Sequence, residues 1–245
     1  LRIRVMREAE KLNGGVIMVT SSVPGEGKTT IAVNLAIAIA RQGKSVILAD
    51  CDPRNPSVAG VMHNTGQHPG IGAVLRGKVS LQHALSDPKI PDVKMKVLFG
   101  GKPNADDAAL LGSRKMEDAI EAMREQADYV ILDTAPAELL ADASQLAKYV
   151  DSALYVIRCD YTKMNKIRDG IETLTMRNVN IMGYVFNGDV NQKLSRYGYG
   201  YGYGYGYGKY GHYGRYGRYG SYSRYGKKLK DTGKTEDESG RIIKE

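Results

Sequence analysis

The sequence predicts an α/β fold: a doubly wound, mostly parallel sheet with helices on both faces. The first observation is a series of short apolar, β-branched segments that alternate with segments of helical spacing. Apolar strands that alternate with helices are typical of a parallel sheet buried on both sides. The second observation is that acidic residues follow two of these strands, where the sheet's carboxyl edge would bind ligands. The predicted strands are residues 16–20, 45–49, 97–99, 129–132, 153–157 and 181–186.

The first strand–helix unit gives the clearest pattern. The strand at residues 16–20 is interrupted by the glycines of Gly25-Glu26-Gly27, and a helix is predicted over residues 28–42. Apolar residues recur through this helix at helical spacing, and Gly43 is expected to end it. Further helices are predicted at residues 113–126, 142–149 and 163–177.

Composition divides the chain into a core, residues 1–192, and a tail, residues 193–245. The tail has 12 Lys and Arg against 5 Asp and Glu, a net charge of +7, whereas the whole chain carries +8. We therefore expect the tail to be a solvated arm without specific affinity for nucleic acid. Cys51 and Cys159 lack metal-ligand spacing and are expected to be reduced thiols. No segment reaches the roughly 18 apolar residues of a membrane span, and because the first residue is Leu1, we expect a piece of a longer protein.

Tyrosine and glycine dominate the tail. It holds 12 of the chain's 17 tyrosines, first at every second position and then at every third. Glycine at this density is costly to order and supplies no packing, so we expect a flexible segment. Its phenolic hydroxyls are candidate acceptors of a phosphoryl group: Tyr197, Tyr199, Tyr201, Tyr203, Tyr205, Tyr207, Tyr210, Tyr213, Tyr216, Tyr219, Tyr222 and Tyr225.

The turn after the first strand has the pattern of a phosphate-binding loop, G-x-x-x-x-G-K-[ST]. Ser22 replaces the first glycine, and Lys28 and Thr29 end the pattern. In such loops successive N–H groups and the positive end of the next helix cradle phosphate oxygens. The lysine reaches the β- and γ-phosphates, and the hydroxyl ligates Mg²⁺. A plain strand–helix turn is the weaker interpretation, because a strand precedes the loop and a long apolar helix follows it. The candidate nucleotide-binding residues are Pro24, Gly25, Glu26, Gly27, Lys28, Thr29 and Thr30.

Three carboxylates follow predicted strands beside this loop. Asp50 and Asp52 follow the strand at 45–49, and Asp133 follows the strand at 129–132. One such residue alone would be typical of a helix cap or a turn. Three of them at matching strand ends predict a shared role in holding Mg²⁺, directly or through water.

Together these motifs resemble those of the bacterial tyrosine kinases, the autokinases that control capsular and exopolysaccharide export. The resemblance covers most of residues 1–190, and the tyrosine-rich C-terminus is the most specific family feature. It implies a P-loop NTPase fold and an ATP- and Mg²⁺-dependent protein-tyrosine autokinase. The matching stretches are the loop ending in Lys28-Thr29, Asp50-Cys-Asp-Pro-Arg-Asn-Pro56, Gly70-Ile-Gly-Ala-Val-Leu-Arg-Gly77 and residues 128–136.

The resemblance also implies roles for individual residues. Lys28 would bind phosphate and Thr29 would bind Mg²⁺. Asp133 would help to hold the metal through water. Asp50 and Asp52 would orient the metal and the attacking hydroxyl, and Asp50 is the candidate base.

Asn187 follows the last predicted strand. Related ATPases place an adenine-contacting asparagine there, which makes Asn187 a nucleotide-binding candidate. The other interpretation is an ordinary Asn-Gly turn after a strand.

The resemblance implies partners as well. The expected assembly is a homo-oligomeric ring in which the tail of one subunit enters its neighbour's site. The expected partners are a transmembrane activator, the polysaccharide co-polymerase, either fused or separate, and an opposing tyrosine phosphatase. The expected location is the cytoplasmic face of the bacterial plasma membrane. Of the family's E-x-x-R-x-x-R ring helix, this sequence retains the last arginine, Arg2.

Two other function classes remain open. Chromosome-partitioning and septum-placing ATPases share these motifs and act as nucleotide-switched dimers. Their loop has an additional lysine where this chain has Val23, and their tails lack tyrosine clusters. The second alternative is a structural protein whose Tyr/Gly tail drives self-association, which would leave Lys28 and the three carboxylates unexplained.

Overall fold

A computed structural model of the protein describes residues 1–12, 15–137 and 145–188. All twelve candidate acceptor tyrosines lie outside the described residues, as does the first part of the helix predicted at 142–149. None of the helices in the described ranges is long and apolar enough to cross a membrane.

The described residues form a seven-stranded sheet in the order β3-β4-β2-β5-β1-β6-β7. Six strands run parallel, and the short edge strand β3 is antiparallel to β4. The doubly wound, mostly parallel sheet predicted from the sequence is therefore confirmed. The strands are β1 Val16–Ser21, β2 Val46–Cys51, β3 Leu85–Ser86, β4 Met95–Leu98, β5 Tyr129–Thr134, β6 Ser152–Arg158 and β7 Ile181–Asn187.

Helices cover both faces of this sheet. Alternate residues of β1 belong to different cores, with Val16 and Met18 in one and Ile17 and Val19 in the other. Burial on both sides explains why the strand sequence is apolar without interruption. The α-helices are α1 Arg2–Lys11, α2 Lys28–Ala40, α3 Val58–Val61, α4 Ile71–Leu75, α5 Leu81–Ala84, α6 Arg114–Arg124 and α7 Met164–Thr175, and 3₁₀ turns span Ala105–Gly112 and Ala147–Tyr149.

The structure corrects several predicted boundaries. Strands β2 and β5 extend past the predicted ends, because Asp50 pairs with Asp133 and Cys51 with Thr134 along the ladder. Asp50 and Asp133 therefore lie within strands and not after them. Helix α2 ends at Ala40, two residues earlier than predicted, and the chain then reverses at Gly43, whose φ is +82°. Helices α1 and α3–α5 and strand β3 were not predicted.

Candidate active site

The central strands bring the phosphate loop and the acidic residues to one edge of the sheet. Asp50 of β2 lies directly opposite Asp133 of β5, and Val19 of β1 lies opposite Asp133 on the other side. The loop that leaves β1 therefore starts beside both carboxylates. The carboxyl edge of a parallel sheet is the usual place for a ligand in such folds.

Two glycines give the loop its shape. Gly25 and Gly27 have φ values of +87° and +90°, which L-residues with a side chain rarely adopt. A Cβ at Gly27 would also collide with the side-chain amide of Asn187. Gly27 comes directly before α2, so Lys28 and Thr29 start that helix and lie almost fully buried. The free N–H groups at the start of such a helix are suited to bind phosphate oxygens.

The side chain of Glu26 is turned into the protein and braces the loop. Its Oε2 accepts a hydrogen bond from the N–H of Val23 at 2.8 Å. Its Oε1 accepts from the hydroxyl of Thr162 at 2.7 Å and from the N–H of Arg158 at 3.2 Å. The loop is thereby fastened to the end of β6. The sequence placed Glu26 among the nucleotide-binding residues, but this bracing role of its side chain was not predicted.

Three further side chains, from the ends of β6 and β7 or just beyond, donate hydrogen bonds to carbonyls of the loop. Asn187 Nδ2 donates to the carbonyl of Glu26 at 2.8 Å, and Arg158 donates to that of Gly25 at 3.0 Å. The hydroxyl of Tyr161 donates to the carbonyl of Pro24 at 3.1 Å. These bonds satisfy the carbonyls of three consecutive loop residues and fix the loop to the ends of the neighbouring strands. Asn187, the candidate adenine contact, thus has its amide nitrogen on the loop itself.

Ser22, which replaces the first glycine of the motif, also has a partner. Its hydroxyl lies 3.0 Å from the hydroxyl of Tyr155 on β6. Tyr155 can reach it because Gly170 of α7 has no side chain, and a Cβ there would collide with the Tyr155 hydroxyl. The serine is therefore accommodated by residues more than a hundred positions away, which no local motif could reveal.

Main-chain groups hold Asp50, and Asp52 lies beside Lys28. The carboxylate of Asp50 accepts from the N–H of Asp52 at 3.2 Å, of Ser57 at 2.9 Å and of Val58 at 3.0 Å. Asp52 Oδ2 lies 3.8 Å from Nζ of Lys28, and both side chains are buried. Lys28 is thus held next to Asp52, directly after the strand that carries Asp50.

Asp133 has the most unusual environment of the three. Both of its carboxylate oxygens are buried, and within the described residues neither forms a hydrogen bond of full geometric quality, although the hydroxyl of Thr29 is close enough to lower its pKa. Burial raises the pKa of Asp133 to about 6, although the charge of Lys28 opposes this. Burial and the negative charge of Asp133 raise the pKa of Asp50 to about 8. Two unsatisfied buried oxygens fit a cation or its bound water.

The geometry limits how a metal ion could be held. In the described ranges no group of three or more His, Cys, Asp or Glu side chains is arranged to bind a metal. Mg²⁺ commonly binds through one or two carboxylates together with substrate phosphates and water. Asp133 and the hydroxyl of Thr29 fit that arrangement, whereas the oxygens of Asp50 already accept three N–H groups.

The two raised pKa values predict a stability that falls with rising pH when no metal or nucleotide is present. Unfolded carboxyls release their protons near pH 4, whereas folded Asp133 and Asp50 retain theirs to about 6 and about 8. Between these limits the folded state binds more protons, so the free energy of unfolding decreases as pH rises. We expect the midpoint of thermal unfolding in EDTA to fall by at least roughly 4 °C from pH 5 to pH 8. Asp50→Asn should flatten this profile, and an equal fall in that variant would contradict the assignment.

The comparisons with known proteins agree with this geometry. A family profile described as an AAA domain matches residues 14–183. The tyrosine-protein kinase CpsD of Streptococcus pneumoniae is 33% identical over 183 residues, covering 75% of this chain and 79% of CpsD. The tyrosine-protein kinase YwqD of Bacillus subtilis is 36% identical over 184 residues, covering 74% and 76%. The chain belongs to the bacterial tyrosine kinase family.

Among solved structures, a tyrosine kinase domain superposes on this chain better than a septum-placing ATPase does. The kinase domain of the Escherichia coli tyrosine kinase ETK superposes with a TM-score of 0.70 at 25% identity, covering 81% of this chain and 79% of that domain. The septum site-determining protein MinD of Pyrococcus horikoshii reaches 0.61 at 21% identity, covering 70% and 69%. MinD therefore shares the fold and is more distant than the kinases.

Proposed function

We propose that this kinase uses ATP and Mg²⁺ to phosphorylate the tyrosines of its own tail, Tyr197 to Tyr225. The observation that supports this most directly is the meeting of Lys28, Asp50, Asp52 and Asp133 at one end of the sheet. Such a site can hold a triphosphate, and the same chain carries a dense row of phenolic acceptors. By its family we further propose a role in the polymerisation and export of capsular or exopolysaccharide.

Each side chain at the site has a task in this proposal. Lys28 and the loop amides from Pro24 to Thr30 neutralise negative charge on the phosphates, which is the main requirement of phosphoryl transfer. Thr29 and Asp133 would hold a Mg²⁺ ion, which would supply further positive charge to the phosphates. Asp52 keeps the ammonium of Lys28 in place from 3.8 Å. Asn187 fixes the loop and borders the nucleotide.

Asp50 is the proposed acceptor of the tyrosine proton. Phenol has a pKa of about 10, and an ordinary carboxylate would be a poor match for it. Burial and Asp133 raise the pKa of Asp50 to about 8, so its ionised form is a stronger base than an exposed aspartate. The proton that Asp50 retains at neutral pH must leave before it can accept another, and a nearby cation would favour that loss. The three N–H groups that bind its oxygens keep it oriented.

The proposed assembly places the tail of one subunit in the site of its neighbour, within a homo-oligomeric ring. The kinase would act at the cytoplasmic face of the membrane, with a transmembrane activator and an opposing tyrosine phosphatase. The different lengths of its relatives are compatible with an activator that is either fused to the kinase or separate from it. CpsD is matched along 79% of its length, whereas the EpsB protein of Ralstonia solanacearum is matched along only 26%, at 31% identity.

Transfer between subunits is tested by mixing two variant chains, neither of which can phosphorylate its own tail. One chain carries Lys28→Met and an intact tail; the other has an intact site and all twelve tail tyrosines changed to phenylalanine. After incubation with Mg-ATP and the membrane activator, phosphopeptide mass spectrometry should find phosphotyrosine on the tail of the Lys28→Met chain. Neither chain alone should become phosphorylated.

Other outcomes of this mixture are equally informative. ATP consumption without phosphotyrosine in the unaltered chain would contradict an autokinase and favour the switch ATPase. Phosphotyrosine in the unaltered chain but none in the mixture would show that each site modifies only its own tail.

A further inference from the structure

A second concave site lies beside the candidate active site. It has a volume of about 550 Å³ and is bordered by the segment that leads into α4 and by the loop after β4. Gly100 of that loop separates it from Asp50, since a Cβ at Gly100 would stand 3.0 Å from the carboxyl carbon of Asp50. We call this site the lateral cavity. The loop after β4 lies at the carboxyl edge of the sheet, so the lateral cavity borders the same edge as the phosphate loop.

The lining of the lateral cavity combines positive charge with flat apolar surface. Arg76, Lys78 and Lys102 border it, against the single carboxylate of Asp107. Asp107 is buried and forms an ion pair with Arg76. Among the described residues no ion pair engages either lysine, so the net charge of the lining is positive. The half-buried ring of His68 supplies the flat surface and stacks on buried Phe99 with a centroid distance of 4.2 Å.

The walls of this cavity are fixed by close backbone packing. A Cβ at Gly70 would collide with the carbonyl of Gly100, and one at Gly72 would collide with the carboxylate of Asp107. The N–H of Asn104 donates to the carbonyl of Pro53 at 2.8 Å, which ties the loop after β4 to the loop after β2. The cavity is thus built from glycines that allow close approach, and it is connected to the segment that carries Asp52.

We propose that the lateral cavity binds a phosphotyrosine of the tail, a site that the kinase has already modified. This rests on the proposed autokinase function. The unmodified tail has a net charge of +7 and is repelled by a cationic lining. Each phosphate adds about −1.5 to −2 charges and three acceptor oxygens, which lysine and arginine bind well. The half-buried ring of His68, which is stacked on buried Phe99, offers the phenyl ring a flat surface.

Tyrosine spacing then makes the cavity a device for repeated phosphorylation. In the second half of the tail one tyrosine follows another at every third position, from Tyr210 to Tyr225. Three residues span at most about 10 Å when extended. A phosphotyrosine held in the lateral cavity therefore keeps the next tyrosine near Asp50, on the other side of Gly100. Tethering raises the local concentration of the second acceptor without any new contact.

Binding is tested apart from catalysis, with the full-length Lys28→Met chain and a fluorescent peptide of residues 211–220. The peptide is used in three forms: unmodified, with phosphotyrosine at 216, and with phosphoserine at 216. We expect the phosphotyrosine form to bind at least roughly tenfold more tightly than the others, as for one good charged contact. Lys78→Ala with Lys102→Ala should remove this preference. The matched control, Lys94→Ala with Lys96→Ala, changes two exposed lysines at the opposite end of β4 and should keep it.

Three results would overturn the proposal. Equal binding of the phosphotyrosine and unmodified peptides would exclude a phosphate site. Equal binding of the phosphoserine peptide would show that the ring is not recognised. Equal loss in the two double variants would indicate nonspecific attraction.

The consequence for catalysis is read from intact mass against time in the otherwise unaltered chain. We expect unmodified and multiply phosphorylated chains to coexist, and the ratio of second to first phosphorylation rates to fall at least roughly threefold in Lys78→Ala/Lys102→Ala. An unchanged ratio would contradict the proposal. Absence of any phosphorylation would instead defeat the autokinase function and leave the binding result to stand by itself.

Discussion

Lys28→Met is expected to lower tyrosine autophosphorylation by at least roughly a hundredfold, because it removes a preorganised charge from the reacting phosphates. Lys28 is buried at the start of α2, so solvent cannot supply a replacement cation. Its Nζ lies 3.8 Å from Asp52, and its charge counters the raised pKa of Asp133. No other lysine occurs in the loop or among residues 12–43 apart from this one. The measurement is phosphotyrosine per chain by mass spectrometry after incubation with Mg-ATP and activator.

The fold should survive this change. Without Lys28, Asp52 still accepts the N–H of Asn55 at 3.0 Å. Asp133 can take up a proton, because its pKa is already raised to about 6. We therefore expect an unchanged circular dichroism spectrum and cooperative thermal unfolding. Lys96→Met, an exposed change at the far end of β4, is the matched control and should retain full activity. Phosphorylation of the Lys28→Met chain at the control rate would refute the site.

The framework of the site could be predicted because its signals are local. Strands that are buried on both faces leave continuous apolar runs, as in β1 and β5. The glycines of the phosphate loop and the acids of β2 and β5 are recognisable by their neighbours in sequence. Parallel pairing then brings Asp50 and Asp133 together, since both belong to central strands.

The supports of the site could not be predicted in the same way. Glu26 is bound by Thr162 and Arg158, 136 and 132 positions away. No periodicity reports which distant segment packs over a loop. Helices of four or five residues, such as α3 and α4, are also too short to show helical spacing. The lateral cavity could not be predicted for both of these reasons, because one wall is the short helix α4 and another is a loop remote from it in sequence.

Glu26→Ala should destabilise the kinase by about 2–4 kcal/mol, since hydrogen bonds to a charged group contribute about 1.5–3 kcal/mol each. Three donors lose their acceptor at once: the N–H groups of Val23 and Arg158 and the hydroxyl of Thr162. The loop would also lose two of its bonds to the segment at the end of β6, so we expect ATP affinity to fall at least roughly tenfold, as for a preorganised site that becomes more mobile. Chemical denaturation and nucleotide titration measure the two effects.

Graded variants distinguish this brace from an ordinary buried acid. Glu26→Gln keeps one oxygen acceptor but turns an NH₂ group toward a donor. Its free energy of unfolding and its ATP affinity should therefore lie between those of the native protein and of Glu26→Ala. Thr162→Val removes a single bond and should cost about 1 kcal/mol. Glu172→Ala, an exposed change on α7, should have no effect on either measurement. Glu26 lies between two glycines whose φ values are +87° and +90°, and its carboxylate is one of several groups that hold this conformation. If Glu26→Ala bound ATP as tightly as Glu172→Ala, the glycines and the bonds from Asn187, Arg158 and Tyr161 would be sufficient to shape the loop.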